Sequence, residues 1–237
     1  MAEPLLIGIL GGMGPLATLD LWQKIIAGTP ARRDQDHVPL VVWNVPQIPD
    51  RQAALAGRGE SPLPALLRAI QQLNALGVSH IALPCNTAHH WYPQLAAASR
   101  APLLHIADLT ARHLAAVAPL PARVGLIATE GTLAAGWYQQ RLSALGITPL
   151  LPERQEMDNQ FVPGCYAVKR GELRLGGELL HQLAGALVAR GAQRLILACT
   201  EVPPALQAVA SPLQAIAIDP THILAQACID LWLDKRR

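Results

Sequence analysis

The sequence predicts an α/β protein made of two similar halves, each with its own parallel sheet. Three observations carry this. Short apolar runs alternate with helical segments, glycine punctuates the helix ends at Gly77, Gly146 and Gly191, and the grammar of the first half restarts near Val124. A strand that leads into a helix and then another strand returns in its original direction, so such alternation implies parallel pairing.

Taken in order, Leu5 to Leu10 is a continuous apolar run that ends in Gly11-Gly12-Met13-Gly14, which reads as a buried strand, a tight turn and a helix start. Val38 to Val45 is the next predicted strand. A helix comes after it, started by Ser61-Pro62 and stopped by Gly77, with Leu66, Ile70 and Leu73 on one face, and then a strand at Ile81 to Leu83. In the second half, Val124 to Ala128 reads as a strand, Thr132 to Leu145 as a helix closed by Gly146, and Ile147 to Leu151 as a strand. Leu179, Leu180, Leu183 and Leu187 line a helix that Gly191 stops before a strand at Leu195 to Leu197. The last helix opens at Asp219-Pro220-Thr221, runs through Ile223, Leu224, Ala227 and Leu231, and is expected to pack back on the first half. Ala118-Pro119-Leu120-Pro121-Ala122 is the best boundary signal, which gives a first domain of 1–103 plus 215–237 and a second of 104–214.

Composition narrows the function classes. A chain of 237 residues, 51% hydrophobic, buries a substantial core. Its net charge of +2 with dispersed basic residues leaves no footprint for nucleic acid or an anionic membrane, the terminal Lys-Arg-Arg reading as an ordinary solvated helix end. No apolar run approaches the roughly 20 residues of a membrane span. The start, Met-Ala-Glu-Pro-Leu-Leu-Ile-Gly, lacks a basic segment and meets glycine early, so a cytoplasmic location is expected. There the four cysteines are expected to be thiols.

The most informative feature is an internal repeat. Ile7-Gly8-Ile9-Leu10 matches Val124-Gly125-Leu126-Ile127, and the stretch from Gly77 to Thr87 lines up with that from Gly191 to Glu201. Helix, glycine stop, strand and cysteine recur in phase, with Cys85 and Cys199 equivalent. Ligands sit at the carboxyl ends of strands in open parallel sheets, so each cysteine is placed at the floor of its half's cleft. Two pseudo-symmetric, Rossmann-like domains facing each other then put the two thiols on opposite sides of one active site. Asn86-Thr87 and Thr200-Glu201 set polar groups directly after each cysteine, where a helix start helps to hold a thiolate or a carboxylate.

That constellation suits inversion of a stereocentre. One base takes the α-proton from one face while an acid supplies a proton to the other, and because enantiomers are isoenergetic, matched groups that exchange roles serve both directions. Near-attack geometry predicts a sulfur–sulfur gap of roughly 6–8 Å. A pyridoxal Schiff base has few candidates, since the only lysines are Lys24, Lys169 and Lys235. Lys169, in a chain that otherwise prefers arginine, reads as a polar anchor for substrate.

The residues resemble the aspartate racemase branch of the aspartate/glutamate racemase superfamily over nearly the whole chain. Three motifs carry the likeness: Gly11-Gly12-Met13-Gly14-Pro15-Leu16-Ala17-Thr18, Pro84-Cys85-Asn86-Thr87-Ala88-His89, and Ala198-Cys199-Thr200-Glu201-Val202-Pro203. The glutamate branch is similar but carries Asp-Ser-Gly and Cys-Thr-His where this chain has Gly-Gly-Met and Cys-Thr-Glu. The resemblance implies interconversion of L- and D-aspartate, or glutamate, with no cofactor and no metal, in a homodimer. It also implies Cys85 and Cys199 as the acid/base pair, Cys199 for the L form and Cys85 for the D form. Arg51 and Lys169 are implied as partners for substrate carboxylates, and Met13, Asn86, Thr87, Thr129, Thr132, Thr200 and Glu201 as the rest of the substrate site.

Other readings fit parts of the chain. Gly12-Met13-Gly14-Pro15-Leu16-Ala17 matches a dinucleotide-binding pattern, although no acidic residue ends the second strand near Asn44. A non-catalytic amino-acid binding protein would need the cleft and the cations but not the thiols. Cys85 and His89 share a helical spacing that a metal or a thiol hydrolase would use, but His89 reads better as a support under the Cys85 turn. Cys165, in a stretch predicted to be irregular, and Cys228 read as packing residues.

Overall fold

A computed structural model describes residues 5–236. By packing, the chain divides into two compact units, one running to Leu109 and resuming at Thr221, the other Thr110–Pro220. Each contains a four-stranded parallel sheet.

The first unit holds β1 (Ile7–Gly11), α1 (Pro15–Gly28), β2 (Leu40–Asn44), α2 (Arg51–Leu55), α3 (Leu63–Ala75), β3 (His80–Ala82), α4 (Tyr92–Ala98), β4 (Leu103–Leu104) and the start of α5 (Ile106–Ala115). Its sheet order is β2-β1-β3-β4. Alternation along β1 sorts its side chains: Leu10 joins a core with Leu66, Ile70, Leu73 and Ile81 under α3 and α4, while Ile7 and Ile9 join Leu21, Ile25, Leu224 and Ile229 on the other face. Those last two belong to the terminal helix, which packs in this unit. Its end is pinned there too, since the Trp232 indole and the Arg236 guanidinium both donate to Asp36. The basic terminus is therefore not simply solvated at Arg236, and the guanidinium holds the Asp36 carboxyl down to about 2.

The second unit holds β5 (Arg123–Ala128), α6 (Glu130–Ala135), α7 (Trp137–Ala144), β6 (Thr148–Leu150), α8 (Arg154–Glu156), α9 (Val162–Lys169), α10 (Leu173–Ala189), β7 (Arg194–Ala198), α11 (Val202–Ala208) and β8 (Ala217–Ile218), with the order β6-β5-β7-β8; α12 (Pro220–Lys235) comes after it in the chain. The topology repeats that of the first unit strand for strand. The repeat extends to packing. A Cβ on Gly8 would meet Leu73 at 3.0 Å and Val78 at 3.1 Å, and a Cβ on Gly125 would meet the equivalent Leu187 and Ala192 at 3.2 and 3.3 Å. In both halves a central-strand glycine lets a helix and its following turn settle directly on the sheet.

Two elements differ from expectation. The predicted helix Thr132 to Leu145 is two helices, because Gly136 takes a left-handed conformation (φ 73°) that ends α6 and starts α7. The stretch around Cys165, predicted to be irregular, is helical from Arg154 to Lys169 through a π-helical turn at Met157–Phe161. Pro163 follows the π-helical turn, where the Val162 N–H already reaches five residues back to the Met157 carbonyl and the regular ladder that a proline would break is interrupted. Gly164 faces Gly176 of α10, and a Cβ on Gly176 would come within 2.8 Å of the Gly164 carbonyl oxygen. The glycines mark a close helix crossing rather than a loop.

Candidate active site

In the first unit, Ile81, Leu83 and Cys85 share one apolar cluster at and just beyond β3, and Cys85 is 6% exposed. Its N–H donates to the Leu83 carbonyl (2.9 Å), turning the chain sharply at the strand end. His89 holds this turn in place. The Ile106 N–H donates to His89 Nε2 (3.2 Å), which leaves Nδ1 carrying the proton and donating to the Cys85 carbonyl at 2.8 Å. Burial, with His105 beside it, pushes the imidazole down to about 4, so it stays neutral. With both ring nitrogens engaged, His89 is a support for the Cys85 turn and not a metal ligand or a base. No group of three or more histidines, cysteines or carboxylates suited to a metal occurs among the described residues.

Asn86 and Thr87 are buried immediately after Cys85, and Met13 lies in the same apolar cluster as Cys85. The loop carrying Met13 is shaped by Thr18, a residue whose role the linear sequence does not reveal. Its hydroxyl accepts from the Gly12 N–H (2.9 Å) and donates to the Gly14 carbonyl (3.2 Å). Gly11 is required because a Cβ there would sit 2.3 Å from the Thr18 side chain. The Gly12 N–H, which a pyrophosphate would call on, is thus already used. Arg51 opens α2, and its Nη1 donates to the carbonyls of Ile48 (3.2 Å) and Pro49 (3.0 Å), which orients a half-buried guanidinium. Asp50 caps the same helix by accepting from the Ala53 N–H.

In the second unit, Leu195, Leu197 and Cys199 repeat the arrangement, with Cys199 also 6% exposed. Thr129 caps α6, accepting from the Thr132 N–H (3.2 Å) and donating to the Thr132 hydroxyl (2.9 Å); both are buried. Around Cys199 the structure gathers more than expected. Its thiol donates to Glu201 Oε2 at 3.0 Å, and the Thr200 hydroxyl donates to the same oxygen at 3.2 Å. Lys169 Nζ lies 3.9 Å from the other Glu201 oxygen and 5.5 Å from the centre of the Tyr166 ring. Cys165, 34 residues away in sequence, places its sulfur 3.7 Å from that of Cys199. Either sulfur can be the donor in this contact. The hydrogen bond with Cys165, burial and the adjoining Glu201 carboxylate together raise the Cys199 thiol above its ordinary range. Nothing in the linear pattern announces Cys165. Cys228 is buried in the other unit, and burial pushes it up to about 12, which suits a packing residue.

Residues 10–228 match the family described as Asp/Glu/Hydantoin racemase. A curated relative, the broad specificity amino-acid racemase RacX of Bacillus subtilis (strain 168), is 28% identical over 96% of this chain and 98% of its own length. Among solved structures, the aspartate racemase of Picrophilus torridus superposes with a TM-score of 0.85 at 31% identity, over 97% of this chain and 94% of that one. A glutamate racemase from Francisella tularensis subsp. tularensis SCHU S4 shares the fold, with a TM-score of 0.69 at 16% identity over 98% of this chain and 82% of that one.

Proposed function

The chain belongs to the Asp/Glu/hydantoin racemase family, and from that premise we propose that it interconverts the enantiomers of an acidic amino acid, aspartate first, by proton transfer between Cys85 and Cys199. The observation that carries the reading is the duplicated thiol. Each half carries a buried cysteine just beyond its third strand, with a threonine within the next two residues.

In the proposed reaction one thiolate removes the α-proton, the charge spreads into the α-carboxylate, and the opposite thiol returns a proton to the other face. No pyridoxal is called for in this scheme, because the thiols do the proton transfer directly. The raised Cys199 thiol is protonated at rest. Arg51, with its guanidinium oriented by two carbonyls, and Lys169, beside Glu201, are the cations assigned to substrate carboxylates. Met13, Asn86, Thr87, Thr129, Thr132, Thr200 and Glu201 complete the proposed site. A broader substrate range is the second reading, favoured by the full-length match to RacX.

The experiment is proton NMR of L- and D-aspartate, glutamate and a panel of neutral amino acids with cofactor-free protein in deuterated water. Deuterium is expected at the α-position of aspartate as chirality is lost, with racemisation abolished in Cys85→Ala and in Cys199→Ala. Exchange across the neutral panel at comparable rates selects the broad reading, and no exchange with any substrate removes the racemase reading.

We also read the protein as a cytoplasmic homodimer acting on a small molecule. Leu16, Leu19, Trp22 and Ile26 form an exposed apolar stripe along α1, which supports association through that face. Light scattering after gel filtration is expected to give twice the chain mass, reverting to monomer in Trp22→Glu.

A further inference from the structure

We infer that Cys165 and Cys199 form a reversible disulfide that takes Cys199 out of service when the protein meets a hydroperoxide. The geometry points to it directly. The two sulfurs lie 3.7 Å apart inside one apolar cluster, Cys165 in the middle of α9 and Cys199 just beyond β7. A bond of about 2.0 Å between them asks for an approach of about 1.7 Å, to be met by side-chain rotation together with a small shift of α9. The racemase chemistry has no role for Cys165, which leaves a buried nucleophile facing the residue proposed to act.

The chemistry balances with one hydroperoxide. Glu201 Oε2, 3.0 Å from the Cys199 sulfur, is placed to take the thiol proton. The thiolate then attacks the peroxide, forming an S–O bond as the O–O bond breaks and water leaves, which gives a sulfenic acid. Cys165 attacks that sulfur, the S–S bond forms, the S–O bond breaks and a second water departs. Two thiols are oxidised and one hydrogen peroxide is reduced to two waters. Exposure of 4% for Cys165 and 6% for Cys199 confines the reaction to small oxidants. With a resolving thiol this close, sulfenic acid at Cys199 closes to a disulfide before over-oxidation, and a dithiol reductant restores it.

The loss of activity rests on the racemase reading, but disulfide formation does not, so the two are measured separately. Reduced protein is treated with stoichiometric hydrogen peroxide, alkylated, digested without reduction and mapped by mass, while racemisation is assayed before oxidation, after it and after dithiothreitol. The expected result is a peptide pair joined through Cys165 and Cys199, formed in step with the loss of racemisation, and both reversed by dithiothreitol. Cys228→Ala behaves as wild type. In Cys165→Ala and Cys165→Ser, each referred to its own unoxidised activity, stoichiometric oxidation gives no cross-link, and excess peroxide causes a loss that reductant does not restore, because the unresolved sulfenic acid passes on to sulfinic acid. Failure to find the 165–199 cross-link under conditions that consume the Cys199 thiol overturns the inference, whatever the racemase assay shows. A cross-link in protein that racemises nothing leaves the disulfide standing and removes the racemase reading instead.

Discussion

Glu201 is the residue that most distinguishes the environment of Cys199. The equivalent position in the first half is the uncharged Thr87. Replacing it with glutamine keeps an acceptor for the thiol but removes the negative charge that, behind Cys165 and burial, holds the thiol up. Alkylation of Cys199 by iodoacetamide in Glu201→Gln is expected to be faster at neutral pH, by about tenfold for each unit the thiol falls; an unchanged rate would show that the carboxylate is not the cause. His89 sets a second, structural pH dependence. Its folded value of about 4 lies below the ordinary 6.5, so the unfolded chain binds the proton first as pH drops. The contribution is complete above about pH 6.5 and is lost as pH falls towards 4, an amount of about 3 kcal/mol for a fully buried group. Urea unfolding between pH 7 and 4 should show that loss in wild type and a flatter profile in His89→Gln. Cys85, Cys199 and the polar residues behind them are legible in the sequence because a repeat marks equivalent positions. Cys165 is not, because a contact between a helix and a strand end 34 residues apart leaves no periodic trace.

At the level of elements, the position of Cys165 depends on how closely α9 lies on α10. Gly176 sets that distance: a methyl group there would sit 2.6 Å from Val168 Cγ2 and 2.8 Å from the Gly164 carbonyl oxygen, and the backbone cannot yield as a side-chain tip would. Gly176→Ala is therefore expected to cost about 1–3 kcal/mol, and, by displacing α9, to reduce formation of the 165–199 cross-link more than it reduces α-proton exchange. Thermal unfolding and peptide mapping on the same sample check both. The helix break at Gly136 and the helix through Pro163-Gly164 escape the linear pattern for one reason. Glycine serves equally as a left-handed terminator and as a site of close approach, and only the surroundings tell which: a positive φ with no contact tighter than 3.7 Å at Gly136, the Leu180 side chain at 3.0 Å and the Gly176 carbonyl at 3.4 Å at Gly164. The two-residue strands β4 and β8 escape it because so short an apolar run carries no period.

For the molecule as a whole, alternation, glycine stops and the repeat are enough to read two parallel sheets, since those signals are long-range and redundant. Both sheets share one strand order, and both central strands carry a glycine under a leucine, Leu73 over Gly8 and Leu187 over Gly125. Gly8→Ala and Gly125→Ala should each destabilise by about 1–3 kcal/mol through overpacking, with the larger effect at Gly125, where Leu195 Cδ2 would stand 2.7 Å away. Differential scanning calorimetry of the two variants measures this. That shared glycine has a wider meaning for experiment on this chain. The same small injury can be made twice, under the same leucine and behind the same kind of thiol, so each half serves as the other's control. If the two variants melt the protein in one common transition, the halves fold as a single cooperative body. If each variant moves a separate transition, the halves are thermodynamic neighbours, and the thiols they carry are tuned one at a time.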